Sequence, residues 1–243
     1  NLIIVFPLSW VLAYLYELAF GHKLNGPAEA QSYLDNQNPL VSLAWLYACI
    51  TGIFLFLSGI ISGYVDNLVR FRNIPGRVRA HPALKLLFKP ERRNKIATYI
   101  DENLGGFAGN IALGFFLGFA PLIGKSLGIP FDIRHITIST ANFAFGLQGL
   151  NDSVPLAELL VVIIGVLGIG FLNFLVSFGL AFWVAMRSRG MQIRSYTYLL
   201  RLIFRYFRKY PLDFFWPPRS KRNIEGIFNP ESHQKSAKEN GIK

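Results

Sequence analysis

The densest group of chemically capable side chains in this sequence is Asp132-Ile133-Arg134-His135, which places a carboxylate, a guanidinium and an imidazole within four residues. Such a group can pass a proton through the imidazole, which titrates near neutrality, or hold an anion on the guanidinium fork. It can equally be structural, with Asp132 capping a helix after Pro130 and pairing with Arg134 to fix a turn. Elsewhere the apolar stretches contain Glu17, Asn110, Glu158 and Asn173, while Lys125 and Asn142 stand near the Asp-Arg-His group. Ionisable groups inside a bilayer are functional candidates by default, because lipid exposure is costly. Head-group-level placement of Glu17 and Glu158, and hydrogen bonds between helices from Asn110 and Asn173, account for the same residues without a ligand.

The scaffold that positions these groups is a membrane bundle. Residues 156–186 carry a single charge, Glu158, and run into Arg187-Ser188-Arg189, which is too long and too apolar for a soluble core helix. The chain is 52% hydrophobic yet has a formal charge of +11, so its cations must be segregated from its apolar runs. Four spans emerge, at residues 2–20, 40–64, 104–124 and 156–186, each near the roughly 20 residues a crossing helix needs. The last is longer than a bilayer requires, so it must tilt, break near Gly165, Gly168 and Gly170, or project beyond the membrane. Residues 2–20 lack a basic leader and a small-residue cleavage site, which marks a retained span, and the opening at Asn1 predicts a longer parent protein.

Charge orients the spans. Residues 65–103 hold Arg70, Arg72, Arg77, Arg79, Lys85, Lys89, Arg92, Arg93 and Lys95, and the stretch after residue 186 is richer still. Residues 21–39 hold only Lys23, and residues 125–155 only Lys125 and Arg134. The positive-inside rule therefore puts both basic segments and both ends in the cytoplasm. Residues 129–147 are interrupted by the Asp-Arg-His group, and a full crossing there would move the basic tail outside. A re-entrant or surface-lying segment is predicted instead.

Small residues four apart, Gly59/Gly63 (doubled by Ser58/Ser62), Gly105/Gly109 and Gly114/Gly118, predict close helix contacts and a capacity for self-association. In residues 193–210, Arg194, Arg201, Arg205 and Arg208 fall within about 60° on a helical projection, opposite Tyr196, Leu199, Ile203, Phe207 and Tyr210. This is an amphipathic helix suited to the interface of an anionic leaflet, with Phe214, Phe215 and Trp216 as a second anchor. Arg70, Arg72, Arg77 and Arg79 would touch the same head groups, or nucleic acid phosphate. Residues 1–186 thus form a transmembrane bundle, 187–220 a cytoplasmic interfacial segment and 221–243 a disordered tail. One cysteine, scattered acids and no phosphate-binding loop leave no expected metal or cofactor.

Several of these pieces carry a resemblance: Gly63-Tyr64-Val65-Asp66-Asn67, Ala108-Gly109-Asn110, and Leu127-Gly128-Ile129-Pro130 followed by Asp132-Ile133-Arg134-His135-Ile136-Thr137. In order and spacing the chain resembles, over most of residues 1–220, the bacterial membrane-protein family labelled site-specific recombinase, the gonococcal recombinase-like group. The resemblance implies an inner-membrane protein with a further upstream cytoplasmic region, and DNA as a partner by its label. The residues themselves offer no recombinase chemistry. A tyrosine-type enzyme holds phosphate with a His-x-x-Arg pair, and none of His22, His81, His135 or His233 has Arg three positions on. The nearest approach to a serine-type centre is Ser188 between Arg187 and Arg189, at a membrane exit.

The expected architecture is therefore an all-α polytopic bundle of about four crossings, acting as a membrane scaffold or lipid-interacting protein whose catalytic residues are unknown. The alternative is a transporter or channel with Asn110, Asp132, Arg134, His135, Asn142 and Asn173 around a polar path. A cavity reaching Asn110 and Asn173 would favour the alternative, and closed Gly-packed helices the scaffold.

Overall fold

Long apolar runs in lipid must satisfy their own backbone groups, and this chain does so with helices. The computed structural model describes residues 2–128, 131–151, 153–188 and 196–211, and among these every regular element is an α-helix. They are α1 (Leu2–Phe20), α2 (Pro27–Asp35), α3 (Ala44–Phe71), α4 (Ile74–Ala80), α5 (Pro82–Leu87), α6 (Pro90–Leu127), α7 (Ile136–Gly149), α8 (Leu156–Ser188) and α9 (Tyr196–Lys209). Contacts divide the chain into two compact units, Asn1–Met186 and Arg187–Lys243. In the first, α1, α3, α6 and α8 are each long and apolar enough to cross a membrane. The protein is an all-α polytopic bundle.

The basic segment expected as a loop is largely helical. α3 continues to Phe71, and α6 starts as early as Pro90, a residue suited to a first helical turn, followed by Glu91 at the positive end of the helix dipole. Between them Asn73 takes a left-handed conformation (φ 46°), and its side chain accepts from Gly76 N at 3.2 Å to start α4. Arg70, Arg72, Arg77 and Arg79 are all exposed, and Arg93 donates to the Arg79 carbonyl at 2.7 Å.

α8 does not break at its glycines. Its 33 residues form one helix of about 50 Å at 1.5 Å per residue, and Gly165, Gly168 and Gly170 serve as points of close approach. The Gln37 carbonyl sits against Gly165, the Trp45 ring against Gly168 and Ile136 against Gly170. The helix is long because it serves two sets of partners. Toward its start, Val162 and Val166 pack with Leu34 of α2 and Phe143 of α7, joined by Leu2 and Phe6 of α1. Further along, Ile169 packs with Ala44 and Ala48 of α3. α1 and α3 are therefore staggered along α8 rather than level with each other.

Direction follows from these contacts. Ala48 meets Asn173 and Gly52 meets Val176, so α3 and α8 run parallel. Ser62 meets Gly109 and Asp66 meets Gly105, so α6 runs against them. The end of α3, the start of α6 and residue 186 thus share one end of the first unit.

Of the small-residue pairs, Gly105/Gly109 makes the α3–α6 contact, with a Cβ at Gly109 falling 3.0 Å from both the Ser58 carbonyl oxygen and Ser62 Cβ. Gly59, Gly63, Gly114 and Gly118 have no atom within 4 Å of an added Cβ. Gly109→Leu is expected to lower thermal stability in detergent by about 2–4 kcal/mol through overpacking, whereas Gly114→Leu changes it by less than about 0.5 kcal/mol. Equal Tm shifts for the two variants would contradict this packing.

In the second unit α9 places Arg201, Arg205 and Arg208 at exposed positions, with Ile203, Phe204 and Phe207 also exposed. Arg194, the anchor at residues 214–216 and the tail at 221–243 lie outside the described residues.

Candidate functional site

Two helical paths are interrupted in this fold, and the interruptions meet. The first lies between α2 and α3, where Asp35-Asn36-Gln37-Asn38-Pro39 supplies turn-forming side chains. Asn38 Oδ1 accepts from Leu40 N at 2.9 Å, and Ser42 Oγ donates to the carbonyls of Asn36 (3.2 Å) and Asn38 (2.8 Å). The second follows α6, which ends in a left-handed Gly128 (φ 65°), and leads through residues 131–135 into α7. α7 has 14 residues, about 21 Å, too short to cross a ~30 Å core. It starts beside the middle of α8 and returns along α1 and α2.

Arg134 holds the two interruptions together and is only 5% exposed. Its Nε donates to the Asn36 carbonyl at 2.9 Å, so the guanidinium meets the negative end of α2. Nη1 donates to Asp132 Oδ2 at 2.5 Å and to the Ile133 carbonyl at 3.2 Å. The Arg134 backbone N donates to Thr51 Oγ1 of α3 at 3.2 Å.

Asn173 closes the joint from α8 and is 2% exposed. Its Oδ1 accepts from Ile136 N at 3.0 Å, supplying from another helix an acceptor for a free N–H at the start of α7. Its Nδ2 donates to the carbonyls of Ala48 and Arg134, both at 2.9 Å. Both amide protons and the carbonyl oxygen are thereby engaged, on three backbone groups of α3 and of the stretch leading into α7.

Sequence reasoning grouped six polar residues, and the structure brings four of them together: Asp132, Arg134, His135 and Asn173. Asn110 is exposed on α6, and Asn142 lies within α7 away from these bonds. The N-cap of α7 is His135 and not Asp132. His135 Nδ1 faces Thr137 N at 3.3 Å, while Asp132 instead accepts from Ile133 N and pairs with Arg134. Asn36, Ser42 and Thr51 were not anticipated. Their only signals were a polar turn run beside a span and a lone hydroxyl within one.

Burial lowers the His135 pKa from 6.5. The folded chain therefore keeps a neutral imidazole able to accept from Thr137, and the unfolded chain protonates first on acidification. The contribution to stability is complete above the unfolded value of 6.5 and declines as pH falls from there through the lowered folded value. As pH falls below 6.5 the start of α7 is expected to lose amide-exchange protection relative to the intrinsic rates, and His135→Asn, which caps without titrating, is expected to flatten that dependence. An unchanged pH profile in His135→Asn would exclude this cap.

Glu17 and Glu158 are paired with amides at the far end of α7 and the start of α8. Gln148 Nε2 donates to Glu17 at 2.6 Å and Gln31 Nε2 to Glu158 at 2.7 Å. Lys23 Nζ donates to the carbonyls of Gln148 (2.7 Å) and Gly149 (3.2 Å) and to Asn151 Oδ1, capping the C-terminus of α7.

Beside Arg134 opens a cleft of about 490 Å³ lined by Asn36, Ser42, Leu43, Tyr47, Pro121, Lys125, Phe131, Asp132 and Arg134. Its walls are largely apolar and aromatic, with the Tyr47 and Phe131 rings edge to face at 6.3 Å.

A family model described as site-specific recombinase matches residues 1–217. The chain belongs to that family. No curated protein and no solved structure matches it. For this member of the site-specific recombinase family, phosphoryl transfer would require arginines converging with a histidine and a hydroxyl nucleophile. Among the described residues, the buried arginine of the joint is held by backbone carbonyls and Asp132, and the exposed arginines of residues 70–79 have no Ser or Tyr hydroxyl bonded to them. No group of three His, Cys, Asp or Glu that could hold a metal occurs among the described residues.

Proposed function

We propose that this chain is a closed membrane scaffold that engages anionic lipid, and that its family label does not reflect chemistry performed by these residues. The observation that carries the proposal is Asn173. This almost fully buried polar side chain is tied to the backbone of α3 and of the stretch leading into α7 instead of lining a path, and the notional path residue Asn110 faces outward. Polar residues used in this way fix helix positions in lipid.

Lipid engagement is assigned to the basic elements. The exposed Arg70, Arg72, Arg77 and Arg79, and Arg201, Arg205 and Arg208 of α9, match what anionic head groups attract. Counting cations assigns these segments and both ends of the chain to the cytoplasmic side of a bacterial inner membrane. The parallel course of α3 and α8, with α6 running against them, supports one shared side for residues 65–103 and residue 186.

Purification of the full-length protein followed by mass spectrometry of co-purifying lipid tests this proposal. Anionic phospholipid should be enriched several-fold over the bulk membrane, and the enrichment should fall when Arg201, Arg205 and Arg208 are changed to Gln. Lipid of bulk composition would overturn it.

One observation favours a second reading. Interrupted helices meeting at a polar point are how many carriers build a substrate site, and residues 36–43 and 131–135 meet in that way. Under this reading, proteoliposomes would accumulate a small anion at a rate that falls when Lys125 is replaced.

A further inference from the structure

The cleft beside Arg134 has a charge arrangement that the polar joint does not use. A guanidinium offers five N–H groups in a planar fork. Three are engaged by Asn36, Asp132 and Ile133, whereas Nη2 donates to no group among the described residues. Nη2 is not among the buried polar atoms lacking a partner, so it keeps some accessible surface, and Arg134 is one of the residues that line the cleft. Asp132 balances the charge of Arg134. Lys125 lines the same cleft with no ion pair among the described residues, which leaves the cleft with one uncompensated positive charge.

The location adds a constraint. Residues 104–124 are the apolar part of α6, and Lys125 is the first cation after them. A lysine at the end of an apolar run sits where its ammonium reaches the polar zone while its stem stays along apolar surface. Leu43, Tyr47, Pro121 and Phe131 give the cleft most of its wall, with Asn36 and Ser42 at its polar side, which suits a ligand that presents an anion on an amphipathic body.

We infer that this cleft binds one singly charged phosphodiester group, held between Arg134 Nη2 and Lys125 Nζ against the Tyr47 and Phe131 rings. One negative charge neutralises the cleft, and phosphate oxygens accept from guanidinium and ammonium donors together. A phospholipid head presents this group, and a soluble phosphodiester or phosphate shares its chemistry. The inference rests on the lipid-engaging reading above, but it assigns a single site in the first unit, separate from the basic face of α9.

The test is native mass spectrometry of the full-length protein in detergent with added phosphatidylglycerol, comparing wild type, Lys125→Glu, Lys125→Arg and the triple change of Arg201, Arg205 and Arg208 to Gln. Lys125 is exposed and outside the joint, so its variants are expected to keep the wild-type Tm, which is measured alongside. Wild type and Lys125→Arg should retain one phosphatidylglycerol through detergent washing, and Lys125→Glu should weaken that retention by at least about tenfold, since the attraction becomes a repulsion. The triple variant should keep this one molecule. Millimolar inorganic phosphate separates the two sources: retention that resists it supports a lipid occupant, and loss to it supports a soluble one at the same group. Retention that ignores Lys125 and follows the α9 arginines would overturn the inference while sparing the lipid-engaging reading. No retention in any form, together with lipid of bulk composition, would overturn both.

Discussion

Gly165→Ala is expected to cost about 3–5 kcal/mol of stability, the largest effect of any single methyl group in this protein. An added Cβ would overlap the Gln37 carbonyl oxygen and fall 3.0 Å from Pro39 Cδ. Neither neighbour can rotate away. Gln37 is fully buried, and its carbonyl belongs to the turn that Asn36, Asn38 and Ser42 hold by hydrogen bonds. α8 would have to retreat from that turn, and Asn173, two turns further along the same helix, would lose alignment with its three partners. Gly179→Ala is the control, because its Cβ meets nothing within 4 Å. Alanine there should be neutral or stabilising by about 0.5–1 kcal/mol through helix propensity. Thermal unfolding in detergent measures both, and a Gly165→Ala protein as stable as Gly179→Ala would mean that α8 does not touch the α2–α3 turn.

Asn173→Leu is expected to cost about 2–4 kcal/mol. Hydrogen bonds between membrane helices average only about 0.6 kcal/mol each, so three lost bonds account for roughly half of this. The remainder comes from leaving Ile136 N–H without its acceptor in a buried place, which costs about 1–3 kcal/mol. Asn173→Asp is not a rescue. It keeps an acceptor for Ile136 but turns a carboxylate toward the carbonyls of Ala48 and Arg134, and should be at least as destabilised. The signature of the joint is that Asn173→Leu accelerates amide exchange at Ile136 in α7 as well as in α8. An effect confined to α8 would show that the side chain ties no other segment.

How much of this was legible in the sequence depended on which physical signal each feature leaves. The four membrane helices were legible because soluble folds rarely hold about 20 lipid-compatible residues in a row. Their true lengths were not, since hydropathy is blind to a helix that continues into water: Arg92, Arg93 and Lys95 are good helix formers but read as a basic loop. That residues 129–147, expected as a re-entrant or surface-lying segment, hold no full crossing was legible from charge balance, and α7 is too short to span a ~30 Å core. The level at which it enters the bundle was not, because that is set by Asn173, a residue whose partners are backbone atoms and leave no pattern. At Gly165, Gly168 and Gly170 the sequence allowed a break in α8, and only the facing Gln37, Trp45 and Ile136 show these three to be contact points. Spacing alone likewise could not separate Gly105/Gly109, which packs, from Gly114/Gly118, which does not. In the Asp-Arg-His group the ion pair was legible from adjacency, whereas the role of Arg134 on the end of α2 required knowing that residues 36 and 134 meet.

Duplex DNA binding by the full-length protein, reconstituted in nanodiscs containing anionic lipid and titrated from about 50 to 200 mM salt, most directly tests whether lipid rather than nucleic acid is the partner of these basic surfaces. The lipid-engaging scaffold predicts weak, sequence-indifferent binding that vanishes at the upper salt concentration and is suppressed as the anionic lipid fraction rises. Binding that survives there, prefers particular sequences and ignores the lipid would contradict it.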